Sequence, residues 1–238
     1  MIDLHYWPTP NGWKISIMLE ECGLPYKMVP VNIRQGDQFK PEFLAISPNN
    51  RMPAIVDHDP PGGGAPVALF ESGAILLYLA ERTGRFMPQD LRGRYQVMQW
   101  LMWQMGGLGP MLGQNGHFLL YAPEKVPYGI DRYGKETNRL YGVLDLQLGR
   151  TGAYVAGDYS IADMAIFPWI RTHKAQNIAL EDFPSVKRWY DTLVEREGVR
   201  RGVDLAKELR VTTMTDEARK AMFGQTAQSV REGAHRAA

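Results

Sequence analysis

The sequence predicts an α+β protein in two parts. A βαβαββα unit spans residues 1–84, an all-helical domain spans residues 92–205, and a tail runs from 206 to 238. Three observations carry this. Up to Gly84, short strand-like runs alternate with runs of helical spacing. Two of the short runs, Ala54–Asp57 and Val67–Phe70, flank Asp59-Pro60-Pro61-Gly62-Gly63-Gly64-Ala65-Pro66, a loop too rich in Pro and Gly for regular structure, which makes the pair a hairpin. From about Leu91 onward the apolar residues keep a 3.6-residue period.

Each element has its own local reason. Ile2–Tyr6 reads as a strand, and Gly12–Cys22 as a helix through Ile15, Met18 and Leu19. Lys27–Val31 is a second strand. Pro41–Ile46 is a short helix, with proline in the first turn, where its missing N–H costs nothing. Ser72–Thr83 is a helix through Ile75, Tyr78 and Leu79, and Gly84 is suited to end it. This order is the thioredoxin-like pattern, a mixed sheet with helices on both faces. Tyr95–Met105, Tyr128–Leu148, Ile161–Asn177 and Ser185–Arg196 are helical runs, and Ser160-Ile161-Ala162-Asp163 is a capping box at the mouth of the third. Between Gly106 and Gly116, five glycines and Pro110 interrupt a helical region. A bent, closely packed helix and a wide floor for a bulky partner both fit that composition. From Ala206 the apolar period is lost, which predicts a frayed tail and not a third domain.

Composition excludes several functions. A net charge of +1 leaves no electrostatic footprint for nucleic acid or an anionic membrane. No basic stretch leads into an apolar one at the start, and the longest apolar run, Ala74–Ala80, is far too short to span a bilayer, so the expectation is a soluble cytoplasmic protein. Cys22 is the single cysteine, so no intrachain disulfide or C-x-x-C pair exists; at the far end of the first helix it reads as a buried or inert thiol. His5, His58, His117, His173 and His235 lack the paired spacing of metal ligands, and no metal is expected. Gly62–Gly64 lacks the Lys-Ser/Thr of a phosphate loop.

The informative stretch is Ser47-Pro48-Asn49-Asn50-Arg51-Met52-Pro53-Ala54-Ile55-Val56-Asp57, read with Phe70-Glu71-Ser72-Gly73-Ala74. Proline cannot donate to a ladder, so Pro53 opens the strand, and Met52 before it is held extended, its backbone groups turned sideways. A cis Met52-Pro53 bond would fix that geometry. Ser72 is a good N-cap, the bare N–H groups of a first helical turn attract a carboxylate, and Glu71 supplies the opposite charge beside it. A ligand with an α-ammonium and an α-carboxylate on an extended backbone satisfies all of this: a γ-glutamyl tripeptide.

With these residues the sequence resembles the glutathione transferases, whose glutathione signature is a strand-opening Met-Pro followed by Glu-Ser at a helix start. The likeness runs from residue 1 to about 200. Tyr6-Trp7-Pro8-Thr9-Pro10-Asn11-Gly12, Ser47–Asp57 and Gly106–Asn115 look like the Nu class, the glutathione-dependent disulfide-bond reductases. The resemblance implies the transferase fold, with the capping box starting its central helix, a homodimer, and glutathione, reduced or oxidised, as substrate. It implies that Thr9 and Asn11 contact the glutathione sulfur, that Gln38 donates to the glycyl carboxylate, and that Met52, Pro53, Glu71 and Ser72 bind the rest of the tripeptide. Arg132, within Tyr128-x-x-x-Arg132-Tyr133, would bind a carboxylate of a second glutathione through its bidentate fork; alone it reads as a surface partner of Glu136. A thiol with pKa near ~8.5 must be ionised to react, and the helix N-terminus after Thr9 favours the thiolate. Tyr6 is the second choice for contacting the sulfur, because strand alternation places it with Leu4 on the core face.

The implied reaction is attack of one glutathione thiolate on a small disulfide, with a second glutathione resolving the mixed disulfide. No protein cysteine is needed. Two alternatives remain at this stage: a conventional transferase conjugating glutathione to electrophiles, and a non-catalytic regulatory module like the related fungal nitrogen-regulator prion. The sequence carries no Asn-rich tract like that relative's, and Thr9, Asn11, Glu71 and Ser72 are intact.

Overall fold

The computed structural model describes residues 1–211 and 213–231; His235 lies outside them. The chain forms two compact units, Met1–Arg82 together with the chain from Arg201 onward, and Thr83–Arg200.

The first unit is built on a four-stranded sheet of order β2-β1-β3-β4, with β1 at Ile2–Tyr6, β2 at Tyr26–Pro30, β3 at Ala54–Asp57 and β4 at Val67–Phe70. β1 runs parallel to β2 and antiparallel to β3, and β3 and β4 form the expected hairpin. Helices α1 (Pro10–Cys22), α2 (Pro41–Leu44) and α3 (Ser72–Thr83) fill the order read from sequence. Alternation sends Ile2, Leu4 and Tyr6 of β1 into the core. Every residue of α1 from Gly12 to Leu19 is buried, so this helix is enclosed and not merely faced by the sheet. A second apolar cluster joins Trp7, Val31, Phe43, Met52 and Ala54.

The chain from Arg201 belongs to this unit, where the sequence suggested a frayed tail beginning at 206. The reason is a set of non-local contacts. Ser16 Oγ donates to Gly202 O at 2.6 Å, Tyr6 OH to Leu205 O at 3.3 Å, and Arg201 pairs with Glu20 at 2.7 Å. Leu209 packs on the second cluster, and Arg34 donates to the Thr213 carbonyl. A further helix, Asp216–Phe223, is capped by Thr215 and buries Ala218.

In the second unit, α4 (Leu91–Trp103), α6 (Pro127–Thr151), α7 (Ile161–Ile170) and α8 (Pro184–Val194) fall on predicted runs, although α7 stops at Ile170 and not at Asn177; α5 (Gly109–Gly116) forms in the stretch read as an interruption, α9 (Glu197–Asp204) follows α8, and Asp216–Phe223 becomes α10. The glycine-rich stretch does not break the helix. Wider π-helical turns at Gln104–Leu108 and His117–Tyr121 flank α5. A Cβ at Gly109 would lie 2.4 Å from Gln104 Nε2, so close packing accounts for at least this glycine. The capping box is present: Asp163 accepts from Ser160 N at 3.1 Å and also from Val155 N and Trp189 Nε1, tying α7 to α8. Burial pushes its carboxyl up to about 6 against those donors.

Candidate active site

Thr9 is extended and caps α1, its Oγ1 accepting from Gly12 N at 3.4 Å. Its hydroxyl also donates to Met52 Sδ at 3.7 Å, so the helix start and the strand-opening Met52-Pro53 pair meet here. The Met52–Pro53 peptide bond is cis. Ladder pairing begins only at Ala54, opposite His5 and Phe70, which leaves Met52 just outside the sheet. Asn11 lies in the first turn of α1, half-buried. Gly12 must be glycine here: an added Cβ would sit 2.2 Å from the Trp7 carbonyl and 2.9 Å from the Tyr6 ring. Asn11-Gly12 is therefore a close-packed helix start and not a loop turn.

Glu71 and Ser72 differ slightly from expectation. Ser72 is the first residue of α3, not its cap; Glu71 holds the cap position, its carbonyl accepting from Ile75 N at 3.0 Å. Glu71 has φ of 68°, a left-handed conformation uncommon for a non-glycine residue and concentrated at ligand sites. Its carboxylate is exposed and accepts from Asn49 Nδ2 at 3.1 Å, which links it to the turn before Met52. That turn is held by Ser47 Oγ donating to Arg51 O at 2.8 Å.

Gln38 does not stand open as expected. It is 2% exposed, and its Nε2 donates to Ile33 O at 3.3 Å and Ala221 O at 3.1 Å, which commits both amide hydrogens. Helix α10, invisible to local pattern, accounts for this. Tyr6 is fully buried, and burial pushes its phenol far up. Cys22 sits at the last position of α1, its thiol 4.0 Å from Met18 Sδ. Arg132 lies on α6 in the other unit, its Nη1 3.9 Å from Glu136 Oε2, and Glu136 is also gripped by Arg139 at 2.7 Å. Among the described residues, no cluster of His, Cys, Asp or Glu could hold a metal ion, and no helix is long and apolar enough to cross a membrane.

Two family models match the chain, the glutathione S-transferase N-terminal domain over residues 9–82 and the C-terminal domain over residues 119–197. The disulfide-bond oxidoreductase YfcG of Escherichia coli is 54% identical over 196 residues, 82% of this chain and 91% of YfcG. The chain belongs to the glutathione S-transferase family. A glutathione transferase structure from Pseudomonas putida, with one glutathione disulfide bound per subunit, superposes with a TM-score of 0.82 at 46% identity, covering 86% of this chain and 91% of that one. A family member from Pseudomonas fluorescens, with two glutathione bound, gives 0.80 at 47% identity over 85% and 92%.

Within this transferase, Thr9, Asn11, Gln38, Met52, Pro53, Glu71 and Ser72 all fall inside the matched N-terminal domain, and Arg132 falls inside the C-terminal one. Neither family model reaches α10. The structure adds one residue that sequence reasoning missed. Lys14, on α1, is 1% exposed, and its Nζ donates to Ser72 Oγ at 3.3 Å. Burial pulls its ammonium down to about 7, with Glu71 acting the other way. A lysine inside an otherwise apolar helical run, Trp13 to Leu19, was the available signal.

Proposed function

We propose that this chain is a glutathione-dependent disulfide-bond reductase. The observation that carries the reading is the meeting of Thr9, at the N-terminus of α1, with Met52 at 3.7 Å. A tripeptide laid along Met52-Pro53 brings its sulfur to a helix start equipped with the Thr9 hydroxyl and the Asn11 amide. The roughly half-unit positive charge of that terminus and these donors stabilise a thiolate over a thiol. Glu71 and Ser72 take the γ-glutamyl ammonium and carboxylate.

The reaction balances without a protein thiol. Glutathione thiolate attacks one sulfur of the substrate; a new S–S bond forms, the old one breaks, and the leaving thiolate takes a proton from water. A second glutathione thiolate attacks the glutathione sulfur of the mixed disulfide. Oxidised glutathione and the second substrate thiol leave, so two glutathiones supply the two electrons. The names of YfcG and of the structures holding two glutathiones or glutathione disulfide support this sequence of events. Gln38 joins the glycyl end of the seat only when α10 releases its amide. We also read the protein as a cytoplasmic homodimer that works on small disulfides, with no metal, nucleic acid or membrane partner.

The test is turnover of 2-hydroxyethyl disulfide with glutathione, coupled to glutathione reductase and NADPH, beside conjugation of chlorodinitrobenzene. Disulfide turnover well above conjugation, surviving Cys22→Ala and failing in Asn11→Ala, supports the reading. Strong conjugation with negligible disulfide turnover overturns it in favour of a conventional transferase. Glutathione binding with neither activity favours a regulatory module.

A further inference from the structure

Lys14 is a charged side chain in an enclosed helix. It is buried within α1, and an ammonium withdrawn from water is costly unless paired and hydrogen-bonded. An apolar residue of similar volume would serve packing better. Instead the ammonium is held 3.3 Å from the hydroxyl that opens α3.

That contact has a directional consequence. A serine hydroxyl has one hydrogen and two lone pairs, whereas an ammonium only donates. With Lys14 as donor, Ser72 Oγ accepts from it, and the hydroxyl hydrogen is turned away from the ammonium. The bare N–H groups in the first turn of α3, which begins at Ser72, attract an anion. Asp57, fully buried on β3, is bound by Arg82 at 2.9 Å and Tyr78 at 2.6 Å. Glu71 acts on Lys14 but is exposed and shared with Asn49, placed to receive a ligand cation.

We propose that Lys14 is a positioning residue of the glutathione seat: its buried ammonium aims the Ser72 hydroxyl at the glutamyl α-carboxylate and supplies the counter-charge behind it. This rests on the glutathione reading above. Lysine acts through Ser72 and touches no reacting atom. A carboxylate seated on Ser72 adds to the pull of Glu71, so charged lysine and bound carboxylate favour each other. The seat thus recognises the glutamyl end by charge as well as by backbone shape.

The experiment pairs a protein change with a ligand change. Calorimetric Kd values are measured for glutathione and for γ-aminobutyryl-cysteinyl-glycine, which lacks only the glutamyl α-carboxylate. The proteins are wild type, Lys14→Met and Lys14→Gln, each checked for folding by circular dichroism. Lys14→Gln keeps a hydrogen-bond donor for Ser72 while removing the charge, and it stands in if the methionine variant does not fold. Wild type is expected to bind glutathione about 10- to 100-fold more tightly than the truncated tripeptide, the range of a charge-assisted hydrogen bond. Both variants should lose most of that preference, weakening glutathione by about 10-fold or more while leaving the truncated ligand within about 2-fold. Equal weakening of both ligands, or no weakening of either, overturns the proposal and leaves the glutathione reading standing. Failure of wild type to bind glutathione overturns the reading and the proposal together.

Discussion

Replacing Lys14 by methionine should stabilise the ligand-free protein, and the gain should depend on pH. The fall of the ammonium from 10.5 to about 7 on folding corresponds, at ~1.36 kcal/mol per pH unit, to roughly 5 kcal/mol of cost for burying the charged form. Between those two values the unfolded chain binds the proton and the native one does not, so native stability rises with pH through that window. Below pH 7 both states are protonated and the whole cost is present. Above 10.5 it disappears. Methionine does not titrate, so the stability difference between variant and wild type should shrink by roughly 3 kcal/mol from pH 6 to pH 9. Loss of the bond to Ser72, worth about 1 kcal/mol, and imperfect packing offset part of the gain. A net stabilisation of about 1–4 kcal/mol near pH 6 is the expectation. Urea unfolding of both proteins at pH 6, 7.5 and 9 measures it, and titrations common to both cancel in the difference. A difference that stays constant with pH, or a wild type more stable at pH 6, would refute the assignment of a buried, weakened ammonium.

Other consequences follow from single contacts. Asn11→Ala should lower kcat/KM for 2-hydroxyethyl disulfide by about 10- to 100-fold through loss of a donor to a charged sulfur, while Cys22→Ala leaves it unchanged in the same coupled assay. Thr9→Ala should lower both turnover and melting temperature, because the cap of α1 is worth about 1 kcal/mol. Gly202→Ala should destabilise by at least about 2 kcal/mol in urea unfolding, since its Cβ would fall 2.5 Å from the Ile17 backbone. Truncation after Thr213 removes the Ala221 carbonyl from Gln38; the KM for glutathione should fall roughly 2- to 10-fold, the range of one neutral hydrogen bond, and an unchanged KM would leave Gln38 without a role at the seat.

Local chemistry made most of the first unit legible. Proline at Pro53, the Pro-Gly loop before Val67 and the apolar spacing of α3 fix their own surroundings within a few residues, and the strands and helices fall within one or two positions of expectation. The helical run at Gly106–Gly116 was harder. Glycine and proline normally signal interruption, yet here wider turns keep the helix going while Gln104 packs over Gly109. The tail was illegible for a different reason. Nothing in residues 201–223 announces a binding surface; Gly202 matters only because Ser16 and Ile17 of α1 lie against it, 186 and 185 positions earlier in the chain.

The same distinction divides the site. Thr9 and Pro53 sit where local chemistry suggests, at a helix cap and a strand opening, and Ser72 falls one position inside the helix start. Gln38 and Lys14 could not be read this way, because their states are set by partners distant in sequence. The amide of Gln38 looked like a solvent-facing donor until the Ala221 carbonyl covered it. Lys14 drew no reading of its own from the sequence, and α1 has no solvated face over that stretch. A buried lysine donates to Ser72 Oγ, and the residue before Ser72 is a glutamate in left-handed backbone. A buried ammonium and a strained backbone so close together are two locally unfavourable features that packing alone would not have selected.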